Sequence, residues 1–233
     1  MYYGIFSTRL KKIKRRDNMQ ILLIRHAKLD GDPDVCPARP VSGCLSPTEG
    51  IPQAEALAKN LAPIPIDVAF ASPMGRALQT AEIALKDRAV PIKVLPFLRE
   101  WIPSPELNAA NAATFENMVA QDGKRYAEET WKTELGEGCF EMYARICPPF
   151  LKELAAVGVH HRMGGFVIEE SARDLTVAVF SHGGTLNVLL SFLLGMRPFP
   201  FASFGFELTG VATLKFIERN GIFYPMLTIP TKK

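Results

Sequence analysis

The sequence predicts an α/β fold with a mostly parallel central sheet. Two short apolar runs, residues 21–24 and 175–180, are too short for helices, and their lack of regular alternation indicates strands buried on both faces. Residues 53–61 instead carry apolar side chains at helical spacing, and residues 185–194 form an apolar helical segment. A chain of 233 residues with 48% hydrophobic residues suits one large domain with a substantial core.

Polar residues whose side chains could act in catalysis or binding lie where these two strands end. The first strand ends directly at Arg25 and His26, and the second runs through a serine into His182. Ligands of open parallel sheets bind at the carboxyl ends of the strands, so we expect these side chains to share a pocket. Gly183 and Gly184 follow at the start of a helix, where backbone amides could approach an anion closely.

A third apolar run, residues 68–71, ends at Ser72. Ser72 is a favourable N-cap and Pro73 suits the first helical position, so Arg76 is expected in the first turn of a helix. Three strand ends would then bring guanidinium groups, imidazoles and helix N-termini to one edge of one sheet. The sequence therefore predicts a pocket for a phosphoryl group.

The residues at these strand ends resemble the histidine phosphatase superfamily, also called the phosphoglycerate mutase-like family. Its motifs are Arg-His-Gly, Ser-Pro-x-x-Arg-Ala-x-Gln-Thr-Ala, Leu-x-Glu and Ser-His-Gly-Gly, which this chain carries at residues 25–27 (with Ala for Gly), 72–81, 98–100 and 181–184. The resemblance spans residues 20 to about 223. It implies a three-layer α/β/α, phosphoglycerate mutase-like fold with a helical or loop insertion over the active site.

The resemblance also implies a phosphomonoester hydrolase that acts on a small phosphorylated metabolite through a phosphohistidine intermediate. His26 would attack phosphorus, Glu100 would protonate the leaving group, and a protonated His182 would help to hold the phosphate. No cofactor and no metal are implied. The predicted site residues are His26, Glu100 and His182 for catalysis, Arg25, Arg76, His182 and Gly183 for the phosphate, and Lys28 and Arg39 for the rest of the substrate.

Two alternatives stay open: a phosphoglycerate mutase-type phosphotransferase and a non-catalytic protein that binds a phosphorylated ligand. Residues 27–29 are Ala-Lys-Leu, whereas family members carry Gly, then Glu or Gln, then Thr or Ser. Asp32 lies near a position where mutases place an Asn that contacts the phosphate, and a carboxylate there would repel the anion. These departures disfavour a mutase, and the filled pocket positions disfavour a non-catalytic protein.

Two further segments are predicted as insertions. Residues 101–137 match the family poorly, and the sequence leaves open whether they form a lid or a purely structural element. Residues 158–174 are rich in glycine and polar residues and are predicted to be a second loop-rich insertion. His160 and His161 would lie there in a solvated loop rather than bind a metal.

The charge distribution separates the first 18 residues from the rest. Residues 1–18 hold six of the 27 basic and one of the 24 acidic residues, which leaves 21 basic and 23 acidic residues in residues 19–233. A body with a net charge of −2 gives no electrostatic case for nucleic-acid binding. We expect residues 1–18 to be a disordered basic extension and residues 19–233 to form a single domain.

Cysteine spacing and hydropathy suggest the remaining properties. The four cysteines form no Cys-x-x-Cys pair, so a zinc site is not expected. No run reaches the roughly 18 apolar residues of a membrane span. We therefore expect a cytoplasmic protein with a small-molecule substrate and no membrane partner, and the sequence leaves oligomer formation open.

Overall fold

The computed structural model of the chain describes residues 19–30, 45–109, 113–114, 117, 132–133, 136–196 and 204–228. The predicted basic extension, Asp32, Arg39 and most of residues 110–131 lie outside these ranges. The described strands are β1 (Gln20–Arg25), β2 (Val68–Ala71), β3 (Ile92–Val94), β4 (Lys132–Thr133), β5 (Gly136–Glu137), β6 (Val159–Arg162), β7 (Gly165–Ile168), β8 (Thr176–Ser181), β9 (Val211–Arg219) and β10 (Ile222–Thr228). The described helices are α1 (Gly50–Leu61), α2 (Gly75–Ala84), α3 (Pro105–Ala109), α4 (Cys139–Ala156) and α5 (Gly183–Leu193).

Eight of the described strands form one mixed sheet in the order β3-β2-β8-β1-β9-β10-β7-β6. The first four strands in this order are parallel, and the other four join through antiparallel pairs. In the parallel part, Arg25 lies opposite Ser181, and Ala71 lies opposite Phe180. The carboxyl ends of β1, β2 and β8 therefore meet at the same edge of the sheet.

The central strand β1 is buried on both faces, as its apolar run predicts. Ile21 and Leu23 belong to the core cluster that contains side chains of α4 and α5. Leu22 and Ile24 point to the opposite face, where their cluster contains side chains of α1 and α2. Because successive side chains of a strand alternate between faces, one apolar run can pack against the helices on both sides of the sheet. The predicted three-layer α/β/α fold is confirmed.

The prediction of a loop-rich insertion at residues 158–174 is wrong. This segment contains the hairpin of β6 and β7, which extends the antiparallel side of the sheet. Met163 and Gly164 form its turn with positive φ angles of 54° and 75°. The strand β6 was not predicted because His160 and His161 are polar. An edge strand such as β6 does not need an alternating apolar pattern.

The predicted insertion at residues 101–137 is described only in part. Its described secondary structure comprises α3, helical residues at 113–114 and 117, and the two-stranded ribbon of β4 and β5. The N–H of Glu137 donates to the carbonyl of Ile102 at 2.9 Å, and Pro103 forms a β-bridge with Gly136. This pairing brings the residues just before α4 beside the segment that follows Glu100.

Candidate active site

His26 directly follows β1 and is 7% exposed. Its Nδ1 lies 2.7 Å from the carbonyl oxygen of Ala27, and Arg76 Nε donates to its Nε2 at 3.2 Å. Because a carbonyl can only accept, Nδ1 carries the hydrogen and Nε2 presents a lone pair. The end of β1 and the start of α2 thus hold an imidazole whose basic nitrogen faces a guanidinium.

Arg76 reaches His26 from the first turn of α2 and is 3% exposed. This helix begins two residues later than predicted, with Met74 as its N-cap, so the expected positions of Ser72 and Pro73 at its start are wrong. Ser72 Oγ instead accepts from the N–H of Met74 at 3.2 Å and lies 2.7 Å from His182 Nε2. Ser72 therefore connects the ends of β2 and β8.

Three buried nitrogen atoms of this pocket have no hydrogen-bond partner among the described residues. They are Arg25 Nε, Arg76 Nη1 and His182 Nδ1. The rings of His26 and His182 lie with their centroids 5.1 Å apart, and Arg25 Nη1 donates to the carbonyl of Phe206 at 2.5 Å. Buried donors without an acceptor are costly, by about 1–3 kcal/mol each. A cluster of them beside two arginines is suited to an anion.

Burial keeps both histidines neutral. Burial, and then the charge of Arg76, lowers the pKa of His26 to about 3 from 6.5, and the hydrogen bond to Ala27 opposes this shift only in part. Burial, followed by the charge of Arg76, also lowers the pKa of His182 well below 6.5. The lowered pKa favours a neutral His182 in the free protein, because a fully buried ring beside a guanidinium cannot readily hold a proton, whereas the predicted protonated form concerned the phosphate complex.

We expect the folded protein to lose stability as the pH falls from 7 to 5. The pKa of His26 is near 6.5 in the unfolded chain and about 3 in the folded one, so only the unfolded chain gains a proton in this interval. This difference lowers the free energy of unfolding by about 2 kcal/mol for His26, and His182 acts in the same direction. Urea unfolding at several pH values should show that the free energy of unfolding decreases more steeply with falling pH for the wild type than for His26→Gln. Equal slopes would contradict a buried neutral His26.

Glu100 follows a 3-10 turn at Pro96–Leu98, and its carboxylate lies at the N-terminus of α5. Oε1 accepts from the N–H groups of Trp101 at 2.9 Å and Thr185 at 3.1 Å, and Oε2 accepts from that of Gly184 at 3.1 Å. The Gly184 amide, which we expected to approach a phosphate, thus binds Glu100 instead. Each carboxylate oxygen has two lone pairs, so Oε2 retains one acceptor position with respect to the described residues.

The other predicted site residues differ in how they are placed. Gly183 begins α5, and a Cβ built there would lie 3.7 Å from Arg25 Nε. That is an ordinary contact distance, so packing does not require glycine, although a larger side chain would point towards the guanidinium. The side chain of Lys28 is exposed, and the backbone N–H of the same residue donates to Gln53 Oε1 at 2.8 Å. Arg39 lies outside the described residues.

Several contacts near the pocket come from residues to which the sequence analysis assigned no role. Thr80 Oγ1 accepts from the N–H of Ala27 at 3.0 Å and donates to the carbonyl of Arg76 at 2.6 Å. Arg145 of α4 donates to carbonyl groups of the segment that carries Glu100. Thr80 lies within the helical motif and could have been examined on that basis. Nothing in the local sequence singles out Arg145, because these three contacts are to backbone atoms of a distant segment.

Two properties of the described part of the chain concern metal ligands and helix length. There, no group of three or more His, Cys, Asp or Glu side chains could hold a metal ion. No helix in the same ranges is long and apolar enough to cross a membrane. Cys147 is buried within α4, and burial raises the pKa of its thiol.

Two known proteins with similar sequences are phosphatases by name. The adenosylcobalamin/alpha-ribazole phosphatase of Escherichia coli strain K12 is 25% identical over 183 residues, which cover 76% of this chain and 80% of that protein. The phosphoserine phosphatase 1 of Hydrogenobacter thermophilus is 27% identical over 213 residues, which cover 88% of this chain and 90% of that protein. These two relatives have different named substrates.

Solved structures share the fold at lower sequence identity. A mycobacterial glucosyl-3-phosphoglycerate phosphatase matches with a TM-score of 0.68 and 20% identity over 91% of this chain and 98% of its own. The alpha-ribazole phosphatase of Shigella flexneri matches with a TM-score of 0.65 and 20% identity over 92% of this chain and 100% of its own. The family model for the histidine phosphatase superfamily (branch 1) matches residues 21–223, and the chain therefore belongs to that superfamily.

Proposed function

We propose that the protein is a phosphomonoester hydrolase that works through a phosphohistidine on His26. The observation that carries the proposal is the hydrogen bond from Arg76 Nε to His26 Nε2 at 3.2 Å, beside buried nitrogen atoms of Arg25, Arg76 and His182 that lack partners among the described residues. A lone pair and a set of anion-binding donors thus lie around one site. A phosphoryl group bound by those donors would lie next to the attacking nitrogen.

In the first step, the Nε2 lone pair of His26 forms a bond to phosphorus while the bond from phosphorus to the leaving oxygen breaks. The Nδ1 hydrogen bond to Ala27 stabilises the positive charge that develops on the ring. Arg76 gives up its hydrogen bond to His26 Nε2 and donates its N–H groups to the phosphoryl oxygens instead. With Arg25, it stabilises the negative charge spread over those oxygens in the transition state.

His182 contributes as a neutral donor in this proposal. Ser72 Oγ already accepts from Met74, and its own hydrogen is free to point at His182 Nε2, 2.7 Å away. That arrangement leaves the single ring hydrogen on Nδ1, the nitrogen without a partner in the described residues. His182 can then donate to a phosphoryl oxygen without being protonated, which agrees with its lowered pKa.

Glu100 is the proposed proton donor and base. Its Oε2 accepts a single hydrogen bond from the described residues, that of the Gly184 N–H. We therefore place the carboxylic acid proton on this oxygen. Oε2 would protonate the leaving oxygen in the first step and would accept a proton from water in the second. The water oxygen then bonds to phosphorus, the N–P bond breaks, and phosphate and neutral His26 are released.

The substrate class is proposed from the named relatives, which act on alpha-ribazole phosphate esters, phosphoserine and glucosyl-3-phosphoglycerate. We infer a small phosphorylated metabolite, because the phosphate-binding groups are buried and a small ester can reach them. We also propose a cytoplasmic location, since the buried thiol of Cys147 is typical of reducing compartments.

We expect the purified protein to hydrolyse p-nitrophenyl phosphate and at least one of these metabolites equally well with and without EDTA, because the pocket supplies its own cations. The measurement is phosphate release across the panel at pH 7. Activity that EDTA abolishes and a divalent ion restores would contradict the metal-independent mechanism. Exchange of phosphate between the positions of a phosphoglycerate, without release, would favour a mutase.

A further inference from the structure

We propose that Arg145, held by Glu137, is a positioning residue that sets the location of the Glu100 carboxylate for proton transfer. The inference rests on the proposed function, because it assigns a purpose to Glu100 as the proton donor. Neither residue belongs to the predicted site. Glu137 lies just before α4 and Arg145 lies in its second turn, so both belong to a part of the chain that is distant in sequence from Glu100.

The Arg145 guanidinium binds the backbone before Glu100 and at Glu100 itself. Its Nη1 donates to the carbonyls of Phe97 at 2.8 Å and Arg99 at 3.1 Å, and its Nη2 lies 3.4 Å from the carbonyl of Glu100 itself. Beyond the short 3-10 turn, residues 99–102 have no helix or strand to fix them. Three carbonyls on one planar guanidinium therefore supply order that regular secondary structure does not supply here.

Glu137 fixes the guanidinium and continues the contact with the same segment. Its two oxygens pair with Arg145 Nε at 2.6 Å and Nη2 at 2.8 Å, and both side chains are largely buried. Glu137 Oε2 also accepts from the N–H of Ile102 at 2.8 Å, and its carbonyl accepts from Trp101 Nε1 at 2.7 Å. The pair thus contacts the backbone before, at and after Glu100.

The backbone around Gly136 is matched to this arrangement. Its φ angle is 146°, and a Cβ there would lie 2.3 Å from the carbonyl of Ile102. Glycine thus permits the close approach that places Glu137 beside the segment. A buried ion pair gives little stability relative to apolar packing, so stability alone does not account for the Arg145–Glu137 pair.

Positioning matters because the carboxylate has two tasks at one location. Its oxygens bind the amides of Trp101, Gly184 and Thr185, and its proton must still reach the leaving oxygen. A misplacement of about 1 Å can cost roughly a hundredfold in rate. Loss of Arg145 should therefore affect the reaction through Glu100, and mainly for substrates that need a proton donor.

The test is Arg145→Lys, which keeps the positive charge but loses the planar set of donors. We expect the phosphorylation rate with an alkyl phosphate to fall about 10- to 100-fold, while the rate with an activated aryl phosphate stays within about threefold. In a Glu100→Gln background the same substitution should add no further selective loss. Glu137→Gln should cause a smaller loss in the same direction, and it carries the test if Arg145→Lys fails to fold.

The matched control is Arg88→Lys, because Arg88 also donates from both terminal nitrogens to backbone carbonyls, those of Ile64 and Leu61, away from the pocket. It should leave the ratio of the two rates unchanged. Equal losses for both substrates in Arg145→Lys, or full additivity with Glu100→Gln, would overturn the inference. If Glu100→Gln itself shows no selectivity, the proposed proton donor is wrong. If Glu100→Gln is selective and Arg145→Lys is not, the proposed proton donor stands and only the role of Arg145 is wrong.

Discussion

His26→Ala is expected to reduce turnover to near background, on the order of 10⁴-fold or more, because it removes the atom that bonds to phosphorus. The wild type, quenched during turnover of a labelled substrate, should carry phosphate on His26. A phosphorus–nitrogen bond is labile in acid and survives alkali, so stability of the label distinguishes it from a phosphoserine. Mass spectrometry of the protein digested in alkali should then locate the label.

The controls address folding and the choice of nucleophile. His160→Ala removes an exposed ring that pairs with Glu169 at 2.8 Å, and it should retain wild-type turnover. His26→Ala should still bind inorganic phosphate, because Arg25, Arg76 and His182 remain. Ser72 is the strongest competing nucleophile, since its Oγ lies 2.7 Å from His182 Nε2. An acid-stable, alkali-labile label on Ser72 would move the nucleophile to that residue.

The sequence predicted the edge of the sheet that holds the pocket because the signals there are local. A continuous apolar run marks a strand buried on both faces, and a polar residue at its end marks the edge where ligands bind. The structure brings together Arg25, His26, Arg76 and His182 at that edge. The roles proposed for these residues stay predictions.

Other features depended on contacts between distant segments. Ser72 was expected to cap α2, and only the approach of β2 to β8 could have shown that it contacts His182. The surroundings that lower the pKa of His182 could not be predicted, because burial is a tertiary property. The strand β6 was missed because its edge position allows polar side chains. Arg145 was missed because three of its partners are carbonyl groups, which every residue has, and its ion pair with Glu137 bridges eight residues of chain.

Glu100→Gln is expected to affect the two chemical steps differently, because a general acid matters most when the leaving oxygen is strongly basic. With an alkyl phosphate, phosphorylation of His26 should slow by roughly a hundred- to ten-thousand-fold. With an activated aryl phosphate, phosphorylation should proceed almost normally, but hydrolysis of the phosphohistidine should slow because the base is lost. Rapid-quench kinetics should therefore show a burst of aryl alcohol followed by slow turnover.

The control for this variant must account for lost hydrogen bonds. The amide nitrogen of Gln cannot accept, so the variant loses an acceptor for Gly184 or Thr185 and should be less stable by about 1–3 kcal/mol. Glu141→Gln is matched, because Glu141 Oε2 accepts from the N–H of Gly138 at the N-terminus of α4 at 3.1 Å. It should lower the melting temperature without changing leaving-group selectivity. If Glu100→Gln slows phosphorylation equally with both substrates and gives no burst, Glu100 only caps α5, and the donor is another group.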